Sequence, residues 1–395
     1  MEYELGHYLV NGKKYPNKIQ AILEAQPTLA DVSWNYFNET FKQANWLSEP
    51  ELSLDDLYRI RSQQLRDQYD YIVVMCSGGA DSTTIVRSFL NNNIHVDEII
   101  AGAPMSGLKG WNWNSQDRSV ENTISETMYA LFPLMEEVAE KHPNVKITVN
   151  DYFEDIVNFE TDKWIYDCQD WVNPAVNSRA SLDKFKHLVD LADAGKRIAV
   201  IWGIDKPALR YGKNGDVYVG LNDLGVNNAH PPFKQAYPNV DRILFYWSPD
   251  FPEILIKQGH VVAKYIHKKE NLWLSDLVRS FGNTKYLVDL EAMDVAVRPD
   301  IKGDFQRGIV PAIYPTTYGN VFQCRKSRAS FMPEQHYWIN ILHKDTRLCQ
   351  LLDSDFRLFY KNINPKYLKE TGNGFQLFNQ FYRIGHYTQF LERSL

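Results

Sequence analysis

Six consecutive residues, Ser77-Gly78-Gly79-Ala80-Asp81-Ser82, are the stretch of this sequence best suited to chemistry. Two adjacent glycines let the backbone turn tightly, and without Cβ atoms they let a ligand reach the amides. Ser77 and Ser82 add hydroxyl donors. A helix starting just beyond would add free N–H groups and a positive dipole end, which together make an anion site. Asp81 is a poor direct partner for phosphate. The role that suits it is holding a Mg²⁺ ion that bridges phosphate oxygens. These residue types, in this order, predict a pyrophosphate cradle.

Such a cradle needs a strand to deliver it and a helix to receive it. Tyr71 to Cys76 is a continuous apolar run with β-branched residues, the pattern of a buried strand in a parallel sheet. Thr83 to Leu90 follows, with Ile85, Val86, Phe89 and Leu90 at helical spacing. Further strands are predicted at Ile94–Ala101, Val145–Val149 and Arg197–Trp202, and helices at Glu121–Lys141 and Leu182–Ala194. This alternation predicts a parallel α/β layer. Ligands in open α/β sheets bind at the carboxyl ends of the strands. Gly203, Asp205 and Lys206, just past Trp202, are therefore predicted on the phosphate- or metal-binding rim.

The flanks read differently. Tyr8 to Tyr15 carries an Asn11-Gly12 turn between short arms, a strong hairpin signal. Helices are predicted over roughly 17–25, 30–44 and 53–68, the last with Asp55 and Asp56 in its first turn. A second hairpin is predicted over Tyr211–Tyr218. Beyond it the chain is rich in Tyr, Phe and Trp and reads as mostly helical. The expected division is a hairpin-plus-helices cap at 1–66, a nucleotide-binding α/β domain at 67–225 and a helical, aromatic-rich substrate domain at 226–395.

The loop is not a Walker A motif, which needs GxxxxGK[ST], and it is not a GxGxxG fingerprint. It resembles the PP-loop, SGGxDS, of the ATP-pyrophosphatase superfamily, whose members share the adenine nucleotide α-hydrolase fold. Ser77, Gly78, Gly79, Asp81 and Ser82 match all five fixed positions. The resemblance implies a Rossmann-like core that binds ATP and Mg²⁺, with the loop on the β- and γ-phosphates. It implies attack of a substrate oxygen on the α-phosphate, release of pyrophosphate, and displacement of AMP by a nitrogen or sulfur nucleophile, one hard substitution split into two easier ones. It places Ala101 and Gly102, and the residues on to Ser106, near the adenine. Members often carry a Gly and an Asp after the strand that matches Arg197–Trp202; at that strand end Asp205 is the candidate to assist Mg²⁺ and Lys206 to neutralise phosphate charge, and a plain charged turn closed by Pro207 is the alternative. Over residues 1–210 the layout also resembles uncharacterised PP-loop proteins of tailed phages.

Weaker basic candidates are Arg210, Lys213 and the cluster Arg325-Lys326-Ser327-Arg328, where Lys326 is the candidate to close over phosphates. The same cluster also reads as a solvated face. Trp111, Trp113, Trp164 and Trp171 could line a substrate pocket or pack between domains.

Absences narrow the family's branches. Cys76, Cys168, Cys324 and Cys349 form no CxxC pair, so the cysteine sites of tRNA thiolation enzymes and the zinc site of 7-cyano-7-deazaguanine synthases are not expected. Residue 2 is Glu, not the Cys nucleophile of glutamine-dependent asparagine synthetases. The last residues, Phe390 to Leu395, lack the Cys of sulfonucleotide reductases. What remains is a ligase or nucleotide-modifying enzyme that takes nitrogen from ammonia or an amine. Two alternatives stay open: sulfur chemistry through Cys76 or Cys324, and a non-catalytic ATP-binding assembly protein. The net charge of -6 disfavours broad contact with a nucleic-acid backbone, yet a single flipped base is compatible with it. A small-molecule substrate and a homo-oligomer are equally compatible. No apolar run would span a bilayer, and the start lacks a signal-peptide layout, so no membrane partner and a cytoplasmic location are expected.

Overall fold

The computed structural model describes residues 5–103, 105, 127–151, 185–204, 206–212, 214–223, 237–268, 312–315, 362–367 and 377–391. The chain opens with a hairpin, β1 (His7–Val10) and β2 (Lys13–Tyr15). Asn11 and Gly12 both take positive φ, 49° and 79°, as the tight two-residue turn requires. Helix α1 (Lys18–Ala25) follows, its N-terminus capped by Asn17, whose side chain accepts from the Gln20 N–H.

The helix expected over 30–44 is not formed. Val32–Asn35 is a strand, β3, antiparallel to β1, and only Asn38–Lys42 is helical, α2. Leu29 and Phe37 sit in the left-handed region, φ 52° and 48°, which breaks any continuous helix. Within β3 the burial alternates, with Val32 and Trp34 buried and Ser33 exposed, a strand's period of two.

Helix α3 (Leu54–Gln68) is capped by Ser53, which accepts from the Asp56 N–H. It leads into β4 (Tyr71–Cys76) and then α4 (Ala80–Leu90). Strand β5 (Glu98–Gly102), a π-helical turn at Thr127–Leu131, helix α5 (Phe132–Lys141) and β6 (Lys146–Asn150) come next. Helix α6 (Lys186–Asp193) precedes β7 (Ile198–Trp202). The second predicted hairpin is β8 (Ala208–Tyr211) and β9 (Asp216–Gly220). Then come β10 (Val240–Leu244), helix α7 (Glu253–Ile266) and β11 (Tyr382–His386).

The central sheet has five strands in the order β10-β7-β4-β5-β6, all parallel. This is an α/β, Rossmann-like core. Its two faces are read from alternate residues of β4. Ile72, Val74 and Cys76 pack with Ile85, Val86 and Phe89 of α4 on one side. Val73 and Met75 pack with Leu188 and Ala192 of α6 on the other. Both faces are apolar because both are covered. Each fully buried Val or Ile here contributes about 1.5–3 kcal/mol.

Strand order reverses at β4. The chain first winds outward through β5 and β6, then returns to add β7 and β10 on the other side. The crevice at the carboxyl ends of β4 and β7 is the switch point, where ligands of such sheets lie.

The boundary expected at 225 falls inside this sheet, because β10 lies beyond it and pairs with β7. Residues near the end of the chain also return to the middle, since β11 pairs with β9. Among the described residues of 226–395, strands β10 and β11 accompany the longer helix α7. The cap is joined to the rest by a buried pair: Lys18 Nζ lies 2.8 Å from Asp223 Oδ2, with side chains 1% and 0% exposed. Among the described residues no helix is long and apolar enough to cross a membrane.

Candidate functional site

Strand β4 ends at Cys76, and the next three residues turn the chain into α4. Gly78 has φ +86°. A Cβ there would meet the Leu131 backbone N at 2.6 Å, so the turn is pressed against the π-helical segment and tolerates only glycine. Gly79 is the N-cap of α4 and is extended, with φ −67° and ψ 164°. The first helical bond runs from the Thr83 N–H to the Gly79 carbonyl, 3.0 Å. The N–H groups of the preceding turn lie outside the helical ladder, at the positive end of the helix.

The two serines play different parts. Ser82 is buried, and its hydroxyl accepts from the Ser77 N–H at 3.2 Å and donates to the Gly79 carbonyl at 3.3 Å. It braces the loop from within. Ser77 is on the surface of the loop, where its Oγ accepts from the Gly79 N–H at 3.3 Å. Cys76 is a buried free cysteine whose Sγ lies 3.7 Å from Ser82 Oγ.

The rim past β7 meets this loop directly. A Cβ on Gly203 would lie 2.8 Å from the Ser82 backbone N and 2.9 Å from the Asp81 carbonyl carbon. Backbone atoms cannot yield to it, so only glycine lets β7 approach the start of α4 this closely. Lys206 completes the contact. Its Nζ is 3.0 Å from each of the Asp81 carboxylate oxygens. The Lys206 side chain is 9% exposed and that of Asp81 23%.

Two tyrosines not singled out from the sequence also hold Asp81. Tyr246, just past β10, donates its hydroxyl to the Asp81 carbonyl at 2.6 Å. Tyr314 donates its hydroxyl to Asp81 Oδ1. Their rings pack against each other and against Tyr58 of α3, with centroids 5.3, 5.6 and 6.3 Å apart. Tyr58 in turn donates to the Ile313 carbonyl at 2.7 Å and accepts from Gln258 of α7 at 3.0 Å. Burial first, and the nearby Asp81 carboxylate as well, push all three phenols well above their ordinary range. They stay protonated and act as donors.

The remaining predicted residues divide into three groups. Ala101 and Gly102 end β5 on the same rim, with Ala101 paired to Cys76. Ala101 is fully buried. Arg210 lies on β8 over the Phe381 ring, 5.4 Å from its centroid. Asp205, Lys213, the 325–328 cluster with Lys326, the tryptophans 111, 113, 164 and 171, and Cys324 lie outside the described residues. Beside Gly78 a cleft of about 350 Å³ opens between α4 and α5, lined by Thr83, Arg87, Tyr129 and Glu137 among others. Arg87 and Glu137 form a two-pronged ion pair across it, which holds the Glu137 carboxyl down at about 2.

No protein-family model and no curated protein matches this sequence. The chemistry must therefore be argued from the site itself.

Proposed function

We propose that this protein is an ATP-dependent enzyme that forms AMP and pyrophosphate, adenylating a substrate oxygen, which then leaves with AMP as a nitrogen nucleophile takes its place on the substrate. One observation carries the reading. The SGGADS turn meets Gly203 and Lys206 at the switch point of a parallel sheet, although Asp81 and Lys206 are 125 residues apart in sequence. A glycine turn at a helix N-terminus, with an ammonium and a carboxylate beside it, suits a polyphosphate.

The donor set fits Mg²⁺ on those terms. Among the described residues no three His, Cys, Asp or Glu side chains gather as a protein-only metal cage would need. Asp81 alone is the acid of the loop. One carboxylate, with phosphate oxygens and waters, is the usual Mg²⁺ arrangement at phosphates. When bound, the ion supplies charge neutralisation on the departing pyrophosphate. The protein's own groups do the rest. The backbone N–H groups at the start of α4 orient the β- and γ-phosphates. Lys206 turns to a phosphate oxygen and stabilises the negative charge that develops there. The Ala101–Gly102 backbone borders the place for the adenine. This is the PP-loop arrangement, and on this reading the core is of the adenine nucleotide α-hydrolase type.

Sulfur chemistry at Cys76 is disfavoured. The thiol is 3% exposed and turned towards Ser82, where it packs as a small apolar group. The substrate, small molecule or nucleic-acid base, is set by residues outside the loop.

Lys206→Ala tests the reading. It should reduce MgATP affinity at least tenfold and turnover more. Unchanged affinity and turnover would remove Lys206 from the phosphate site and the rim from the mechanism.

A further inference from the structure

The acid of the loop is already engaged in this structure. Asp81 Oδ1 accepts from both Lys206 and Tyr314, and Oδ2 accepts from Lys206 at 3.0 Å. Tyr246 fixes the same residue through its carbonyl. Tyr314 is fully buried, and Lys206 nearly so. Neither group can leave Asp81 for bulk water without repacking the aromatic cluster around it.

We propose that Lys206 and Tyr314 latch Asp81, so that this loop accepts a polyphosphate and a divalent cation only together. The proposal rests on the nucleotide reading above and adds a specificity to it. A polyphosphate arriving alone draws Lys206 towards itself. That leaves the Asp81 carboxylate without its counter-charge beside more negative charge. A divalent cation arriving alone must displace Lys206 and leave a poorly solvated ammonium next to itself. When both arrive, Lys206 moves to phosphate and the cation takes its place on Asp81, so each charge keeps a partner. Tyr314 keeps its bond to Oδ1 throughout and holds the other oxygen towards the rim. The ligand class selected is a cation-complexed nucleoside triphosphate, not a free phosphate or a free polyphosphate.

The test is ATP affinity by titration calorimetry on the full chain, with Mg²⁺ and with a chelator in its place. Wild type should bind ATP at least tenfold more tightly with Mg²⁺. Asp81→Asn keeps the side-chain shape but removes the charge that Lys206 guards. It should bind metal-free ATP at least tenfold more tightly than wild type does, and gain less than threefold from Mg²⁺. Tyr314→Phe keeps the carboxylate and the ring but removes a donor to Oδ1, so Asp81 holds Lys206 harder. It should lower metal-free affinity two- to fivefold and leave most of the Mg²⁺ response. A merely structural role would lower affinity in both variants under both conditions. If wild type binds MgATP but Asp81→Asn gains no metal-free affinity, the latch is wrong and the nucleotide reading stands. If wild type binds no MgATP, the nucleotide reading falls and takes the latch with it.

Discussion

Asp81→Asn is expected to lower ATP turnover by about 10²–10³-fold, or about 3–4 kcal/mol of transition-state stabilisation. Asp81 is the one carboxylate that the described structure aims into the glycine loop. Its position is fixed by Lys206 at 3.0 Å, by Tyr314 and by Tyr246. Asparagine fills the same space and can still accept from Tyr314, so the loop should keep its shape. What it loses is the negative charge that, in the proposed function, would bring a cation to the phosphates. The latch predicts that the same variant binds metal-free ATP more tightly. Tighter binding with slower turnover is a combination that simple misfolding does not produce. A loss of less than tenfold, measured as product formed per enzyme at saturating MgATP, would take Asp81 out of the chemistry.

The largest effect on stability is expected far from this site, at Lys18. The first residue of α1 puts its ammonium 2.8 Å from Asp223, with both side chains essentially without solvent. Asp223 also accepts from the Tyr8 hydroxyl at 3.0 Å and from the Leu377 N–H at 3.0 Å. One carboxylate thus ties the first hairpin, α1 and the returning C-terminal segment together. Lys18→Met keeps the aliphatic stem and removes only the charge. The buried carboxylate is then uncompensated, at a cost of about 3–5 kcal/mol. That is a large share of a typical folding free energy of about 5–15 kcal/mol. Urea unfolding should show the midpoint fall accordingly, and Asp223→Asn added to Lys18→Met should restore part of it. A shift under about 1 kcal/mol would mean that the pair is solvated.

The glycine-loop half of the site is legible because its signals are local. A six-residue apolar run can only be a buried strand if a sheet surrounds it, and Tyr71–Cys76 is the central strand of one. The glycines announce a turn, and Gly78 takes the positive φ that the turn needs. Strand β7 was legible for the same reason, and with it the rim at Gly203 and Lys206. Strand β10 was not. As the edge of the sheet it carries Asp241 and Arg242, half-exposed, so its pattern lacks the apolar run that marks a central strand. The boundary near 225 was drawn through the core in consequence. The stretch over 30–44 failed because two residues with no sequence mark of it, Leu29 and Phe37, adopt left-handed backbone.

The tyrosine clamp was invisible for a different reason. Tyr246 and Tyr314 lie 165 and 233 residues from Asp81. The chain has 23 tyrosines, and nothing local distinguishes the two that reach the loop. Their role is a product of tertiary packing alone: α3, α7 and the 312–315 segment converge on the start of α4 through Tyr58, Gln258 and Ile313. Local pattern locates the loop, and packing decides how its acid is held.

The proposed reaction cleaves ATP between its α- and β-phosphates. The direct measurement follows α-³²P- and γ-³²P-labelled ATP incubated with Mg²⁺, the protein and a small-molecule extract, beside Asp81→Asn. The expected result is α-label in AMP or an adenylated product and γ-label in pyrophosphate, with both lost in the variant. Release of γ-label as inorganic phosphate, with α-label in ADP, would contradict the assignment of the loop to pyrophosphate chemistry.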